Sequence, residues 1–399
     1  MDLTLANRLK LLGTESAFEV SQLAAEWESE GHKVYPFHLG DLNISTPSSI
    51  MDRAYKFMRD GKTGYCPPAG VPELRDALAD DVGRRRGLNY QRVNVAIQPG
   101  GKPVVGKFIM ALMNTGDEVL YPNPGYPIYE SQIEFHGGQA IPYHYIETTD
   151  GFVLDLDEIR SLITPRTRLL IYNNYQNPIG AESTPEEMEI VAELALANNL
   201  WVLSDEAYFE IRYLGEGRSI AALPGMKERT VILYTFSKKY AMTGWRLGAA
   251  IGPEKVIDVI AKLNVNDESC SNHFIQWAMI DALNGSQDEP QEILSILKER
   301  RDMTSSLLQD IKGVNLYIPN CTFYLFPNVT EVMQHKGFEN ISHFQKAALE
   351  ETGVAFCTRN HFGRPSPSET EYYIRFAYSG IDTDEIRKGL KLLKEYFEN

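Results

Sequence analysis

The stretch from Tyr234 to Gly248, YTFSKKYAMTGWRLG, runs from β-branched and aromatic residues into a small polar turn that holds Lys238 and Lys239. An amine delivered by the end of a strand can form a Schiff base with a carbonyl group. Arg246, farther along the same stretch, can grip a phosphate through two parallel hydrogen bonds. A lone SKK turn is more often a solvated bend after a buried strand, so these residues carry weight only together with others.

The other candidates also stand where apolar runs end. Asp205 closes WVLSDEAYF, where a carboxylate is desolvated unless paired. A protonated heteroaromatic nitrogen is a suitable partner, and such a pair keeps the ring an electron sink. Tyr208 follows closely enough to donate to an oxygen of the same ring. Tyr126, in the proline-bent YPNPGYPIYE, can stack on a flat cofactor or simply fill the core. Gly100-Gly101-Lys102 ends one strand and opens a helix, whose first N–H groups can receive a phosphate. Arg375 lies inside the apolar YYIRFAYS and must be neutralised by a structural carboxylate or by a ligand. Gly40 and Asn177 sit in turn-like sequence, FHLGDLNISTP and YNNYQNPIG, and alone would pass for turn residues.

These positions need a framework that brings strand ends together. VNVAIQ, EVLYP, QAIPY, RLLIYNN and WVLSDE alternate with helical segments, which predicts βαβ units and a mostly parallel sheet with ligands beyond its carboxyl edge. A helix is predicted over SAFEVSQLAAEWESEG with Phe18, Leu23, Ala24 and Trp27 near one face. Another is expected from Pro72, one from about 253 to 283, and a long one from 288 to 312. VNLYIP, TFYLFPNV, VAFCTRN and YYIRFAYS read as strands of a smaller unit.

The 399 residues are 43% apolar with a formal net charge of −15, an ordinary globular composition that disfavours nucleic acid or an anionic membrane surface as partner. The four cysteines form no C-x-x-C and the eight histidines no H-E-x-x-H, so no metal site is expected. GKPVVGKF, starting at Gly101, nearly spells a nucleotide-binding loop, but Phe108 stands where a Mg²⁺-binding hydroxyl is needed. No signal peptide or membrane span is read, and a cytoplasmic location is expected.

Taken together, the chain resembles the class I aminotransferases, which are fold-type I pyridoxal phosphate enzymes. Their signature S-x-S-K-x-x-A-M-T-G-W-R-x-G departs here only at Thr235. The resemblance implies an α/β fold, with a mostly parallel seven-stranded-type sheet in a large three-layer domain and a second, smaller α/β domain. It implies residues 1–45 as an arm and part of the small domain, 46–290 as the cofactor domain and 291–399 as the small domain. It makes Lys238 rather than Lys239 the pyridoxal 5'-phosphate lysine. Arg246, Thr235, Gly101 and Lys102 then serve the phosphate, Tyr126 the ring face, Asn177 and Tyr208 the phenolic oxygen, and Asp205 the ring nitrogen. Arg375 clamps the substrate α-carboxylate with Gly40 nearby, and Lys102 also has reach to a distal carboxylate.

Tyr65 resembles a tyrosine that serves the neighbouring subunit's phosphate, implying a homodimer with shared sites. The reaction implied moves an amino group between an amino acid and a 2-oxo acid. The same scaffold also hosts β- and γ-eliminating lyases and synthases. The chain departs from the family pattern at Leu42-Asn43, Tyr175, Cys321-Thr322 and Thr358-Arg359, and the last two pairs are expected near the substrate mouth, where they would alter specificity.

Overall fold

Seven short runs rich in apolar residues become the centre of the molecule, a sheet of seven strands in a computed structural model that describes residues 4–13 and 17–399. In spatial order the strands are Val95–Gln98, Gly248–Ile251, Thr230–Thr235, Trp201–Asp205, Thr167–Tyr172, Glu118–Pro122 and Gln139–Tyr143. Gly248–Ile251 runs antiparallel to both neighbours, and the other pairings are parallel.

Side chains alternate across these strands, so each face is buried separately. Ile97, Ile232, Tyr234 and Ala249 pack with Leu74, Leu78 and Met279 from helices Pro72–Arg86 and His273–Asn284. Their neighbours Ala96, Val231, Leu233 and Ala250 point the other way, to Val105 and Phe108 of Lys102–Leu112 and Ile260 of Glu254–Asn266. Farther along the sheet, Leu170 and Val202 meet Met188 and Val191 of Pro185–Ala197. Helices cover both faces, and the carboxyl ends of six strands share one edge.

Smaller elements complete the chain. Tyr324–Leu325, Ile374–Ala377 and Cys357–Thr358 form a three-stranded antiparallel sheet, and Tyr35–Pro36 pairs in parallel with Val354–Ala355. Tyr35 and Phe37 thereby join a cluster with Leu297, Phe344, Phe376 and Leu393 from the C-terminal third.

Several elements differ from the sequence reading. The helix predicted over 253–283 is two helices, Glu254–Asn266 and His273–Asn284. Ser269 takes a left-handed φ of 66° at the break, and Glu268 is drawn aside by Lys107, whose Nζ donates to it at 2.5 Å. VNLYIP contributes only an isolated bridge, Asn315 to Asn328, and Pro319 has no N–H to extend a ladder. The helix Ser48–Arg59 and the hairpin of Tyr145–Thr148 with Gly151–Leu154 were not read from the sequence. In the helix Ala17–Ser29 the buried stripe is Ala17, Val20 and Ala24, while Phe18 and Leu23 face outward. Ser16, where that helix was expected to begin, lies outside the described residues.

Candidate active site

A cavity of about 580 Å³ opens at the shared edge, within the roughly 300–1,000 Å³ usual for small-molecule sites. It is lined by Gly40, Gly101, Lys102, Tyr126, Asn177, Asp205, Tyr208, Thr235, Lys238, Arg246 and Arg375. These come from separate strand ends and from the small sheet. Tyr65 alone among the candidates stands elsewhere, 88% exposed.

Lys238 leaves the strand Thr230–Thr235, and its Nζ donates to the Gly40 carbonyl at 2.8 Å. The adjacent Lys239 is buried, with its Nζ near the ring of Tyr240 and no hydrogen-bond partner. Burial holds its pKa below the usual lysine value, partly opposed by the charge of Glu210. It does not line the cavity.

The anion-binding end is set by sheet register. Gly248 lies opposite both Gln98 and Thr235, which brings Gly100 beside the chain leading into that strand. Arg246, with φ 57°, turns its guanidinium so close that a Cβ on Gly100 would meet Nη2 at 2.2 Å. A Cβ on Gly101 would lie 2.9 Å from Leu233 and 3.3 Å from Thr235. Gly100, at φ 103°, requires glycine, whereas a side chain at Gly101 would displace Leu233, and helix Lys102–Leu112 starts there with its first N–H groups at the cavity.

At the other pole, Asp205 is buried and ends its strand. Its Oδ2 accepts from Tyr129 at 2.5 Å and its Oδ1 from the Ala207 N–H at 3.1 Å. Burial pushes its pKa up, and those two donors oppose the shift. Asn173 supports the strand end by donating to the Asp205 carbonyl at 2.9 Å and accepting from the Asn177 N–H at 3.2 Å.

Arg375 is 3% exposed and meets no carboxylate among the described residues. Nη1 donates to Asn177 Oδ1 at 3.0 Å, Nη2 to the His38 carbonyl at 2.6 Å, and Nε is buried without a partner. The guanidinium is sandwiched by Tyr324 and Phe362, 4.3 and 4.6 Å from the ring centres. Burial and the Arg375 charge together lower the pKa of His38 to about 4. Tyr208 is buried, and its hydroxyl shares a 2.6 Å hydrogen bond with Tyr324.

Tyr129, Asn173, Ser237 and Tyr324 were missed in the sequence, although all four line the cavity. Conversely, Cys321, Thr322, Thr358 and Arg359 lie outside the lining, contrary to their expected place near the mouth. All four are buried, and Arg359 bonds Glu369 and Asn123 to pin its own loop.

A tyrosine-lined cavity, an arginine beside a glycine pair at a helix start, a buried carboxylate and a lysine at a strand end are compatible with an aldehyde-bearing aromatic phosphate. The family model for aminotransferase class I and II matches residues 34–393, and the chain belongs to that family. It is 33% identical to an aspartate aminotransferase of Bacillus sp. (strain YM-2) over 372 residues, 92% of this chain and 94% of that one. Against the Bacillus subtilis (strain 168) aspartate aminotransferase it is 30% identical, over 99% of both chains. The Thermus thermophilus aspartate aminotransferase with maleate superposes with a TM-score of 0.90 at 28% identity, covering 99% of this chain and 100% of that one. The protein is therefore a pyridoxal phosphate-dependent aminotransferase, and the lyase alternative is not favoured. Among the described residues, no group of three or more His, Cys, Asp or Glu could hold a metal, and no helix is long and apolar enough to cross a membrane.

Proposed function

We propose that the enzyme accepts aspartate, glutamate or their oxo acids, and the distribution of cations in the cavity carries this reading. Arg246 and the helix N-terminus suit the cofactor phosphate, and Arg375, buried among neutral partners, suits the substrate α-carboxylate. Lys102 lines the same cavity, its Nζ 5.7 Å from the Tyr126 ring, and is placed to meet a distal carboxylate. Relatives named aspartate aminotransferase point the same way. Phe18 at the mouth would instead favour an apolar substrate, and a similar Pyrococcus furiosus structure is an alanine aminotransferase.

Comparing kcat/KM for aspartate, glutamate, phenylalanine and alanine in wild type and Lys102→Ala tests the reading. A loss confined to dicarboxylates, on the scale of about 1.5–3 kcal/mol for a charged hydrogen bond, is expected. An equal loss on every substrate would restrict Lys102 to the phosphate, and no dicarboxylate activity in the wild type would defeat the proposal.

Bound pyridoxal phosphate supplies a sink for the electron pair left when a substrate Cα–H bond breaks. With that group bound, the Lys238 Nζ, placed by the Gly40 loop, would accept and hold the Cα proton. Asp205 keeps a proton at the ring nitrogen. Asn177 spends its Oδ1 on Arg375, leaving its amide N–H groups, with the Tyr208 hydroxyl, for the phenolic oxygen. Arg375 fixes the carboxylate and so aims the Cα–H bond. Thr235 and Gly101 support the phosphate.

The same reading makes the enzyme a cytoplasmic homodimer, with each Tyr65 reaching the other subunit's site. Its 88% exposure in the single chain supports this. Mixing Lys238→Ala with Tyr65→Ala subunits should create one intact site per hybrid and raise activity above the sum of the two parents. Subunit exchange without that rise would remove the shared site. The division at 45 and 290 is supported by the cluster that joins Tyr35 and Phe37 to the C-terminal third.

A further inference from the structure

Tyr129 looks in the sequence like one more core aromatic, and the established chemistry assigns it nothing. Its hydroxyl, however, is buried against Asp205 and donates to Oδ2 at 2.5 Å. The first turn of Ile128–Phe135 fixes it there, since the Tyr129 N–H donates to the Tyr126 carbonyl at 3.0 Å. The rings of Tyr126 and Tyr129 stand 85° apart with centres 5.7 Å apart. The turn leading into this helix therefore presents both a ring at the cavity and the donor that grips Asp205.

We propose that Tyr129 is a positioning residue that aims Asp205 at the cofactor's ring nitrogen and keeps the proton between them on the nitrogen. Among the described residues the Asp205 charge is supported by the Tyr129 phenol and the Ala207 N–H, set against burial and the repulsion of Glu206. Burial favours a neutral carboxyl, which would take the proton from the ring and weaken the electron sink. The phenol opposes that. Its own proton is secure, because burial and the Asp205 charge push the Tyr129 pKa well above the usual tyrosine value.

This rests on the reading of Asp205 as the partner of the ring nitrogen, and the test separates the two. Enzyme stripped of cofactor is reloaded with pyridoxal phosphate or with an analogue that has carbon in place of the ring nitrogen, and both affinities are measured. Wild type should prefer the natural ring. Tyr129→Phe should weaken pyridoxal phosphate about 10- to 100-fold, the scale of a charged hydrogen bond, and leave the analogue unchanged. In an Asp205→Ala background the same substitution should add nothing. A ring-fluorinated, more acidic tyrosine at position 129 preserves the packing and should shift the preference towards the natural ring. Equal weakening of both ligands, or of neither, would overturn the role of Tyr129, as would an unchanged preference with the fluorinated residue. If Asp205→Ala itself retained the wild-type preference, the reading of Asp205 would fall instead.

Discussion

Arg86 and Arg375 are both buried guanidinium groups lying against aromatic rings, yet they are neutralised in opposite ways. Arg86 pairs with Glu206 beneath the sheet, 3.7 Å from the Phe209 ring centre, and Glu206 is itself held by Ser204 and Ser219. Burial alone would lower the Arg86 pKa, but Glu206 and Glu210 reverse this and hold it above the usual value. Arg375 faces only neutral acceptors and an unpartnered Nε. The first charge is paired within the chain, although its Nη1 and Nη2 find no hydrogen-bond partner among the described residues, whereas the second has no carboxylate partner among the described residues. Burial of a charge thus marks a binding site only when its partner is missing. Lys107 resembles Arg86 in this respect, being buried and bonded to Glu268 and Asn264.

The largest effects should come from exchanging these roles. Arg375→Ala should lower kcat/KM by the roughly 2–5 kcal/mol of a truncated buried charge contact, about 30-fold to several thousandfold, with little loss of stability. Arg86→Ala should do the reverse, losing about 3–5 kcal/mol of stability because Glu206 is left buried and unpaired, while each folded molecule keeps its turnover. Denaturant melts beside steady-state kinetics would break the comparison if either variant behaved like the other.

A subtler consequence concerns His38. Its proton is disfavoured by burial first and by Arg375 second, which places its pKa at about 4 in the fold against the ordinary 6.5. The unfolded chain therefore binds that proton first, so this contribution to stability is present above about pH 6.5 and is lost as pH falls towards 4. A histidine NMR titration should show the value rising in Arg375→Ala or when a dicarboxylate binds, yet staying below 6.5 because burial persists. An unchanged value would mean that Arg375 is already compensated.

The smallest expected change is at the paired lysines. Borohydride should fix the cofactor to Lys238 in wild type and in Lys239→Met, and not in Lys238→Ala, as peptide mass mapping would show. Lys239→Met should also stabilise the protein, most clearly near neutral pH. The burial that lowers the pKa of Lys239 penalises its charged form, a penalty relieved as pH rises from that lowered value towards 10.5. Destabilisation by methionine would show that Lys239 has a necessary polar role.

The seven sheet strands and the positions at their ends were legible because apolar runs stop abruptly at Gln98, Pro122, Asp205 and Thr235. What pattern could not supply was the inner support. Tyr129 has the same sequence environment as any core tyrosine, and Asn173 hides in a run of three nearby asparagines. Tyr324 was read as strand filler, although its hydroxyl so closely approaches Gly40 that a Cβ there would lie 2.0 Å away. Thr358 and Arg359, expected near the mouth because they depart from the family pattern there, are buried instead, with Arg359 held by Glu369. The break at Ser269 depends on Lys107, a contact no local periodicity records.

The hydrogen bond between Arg375 and the His38 carbonyl joins residues 337 positions apart. At roughly 5–20 residues per second of synthesis, the two sides of this contact emerge about 17–67 seconds apart. Lys238 leaves the ribosome while Arg375 is still more than a hundred residues away. An incomplete chain can therefore expose the reactive amine but cannot assemble the pocket around it. A chain shortened before the strand Ile374–Ala377 would keep Lys238 and lack Arg375.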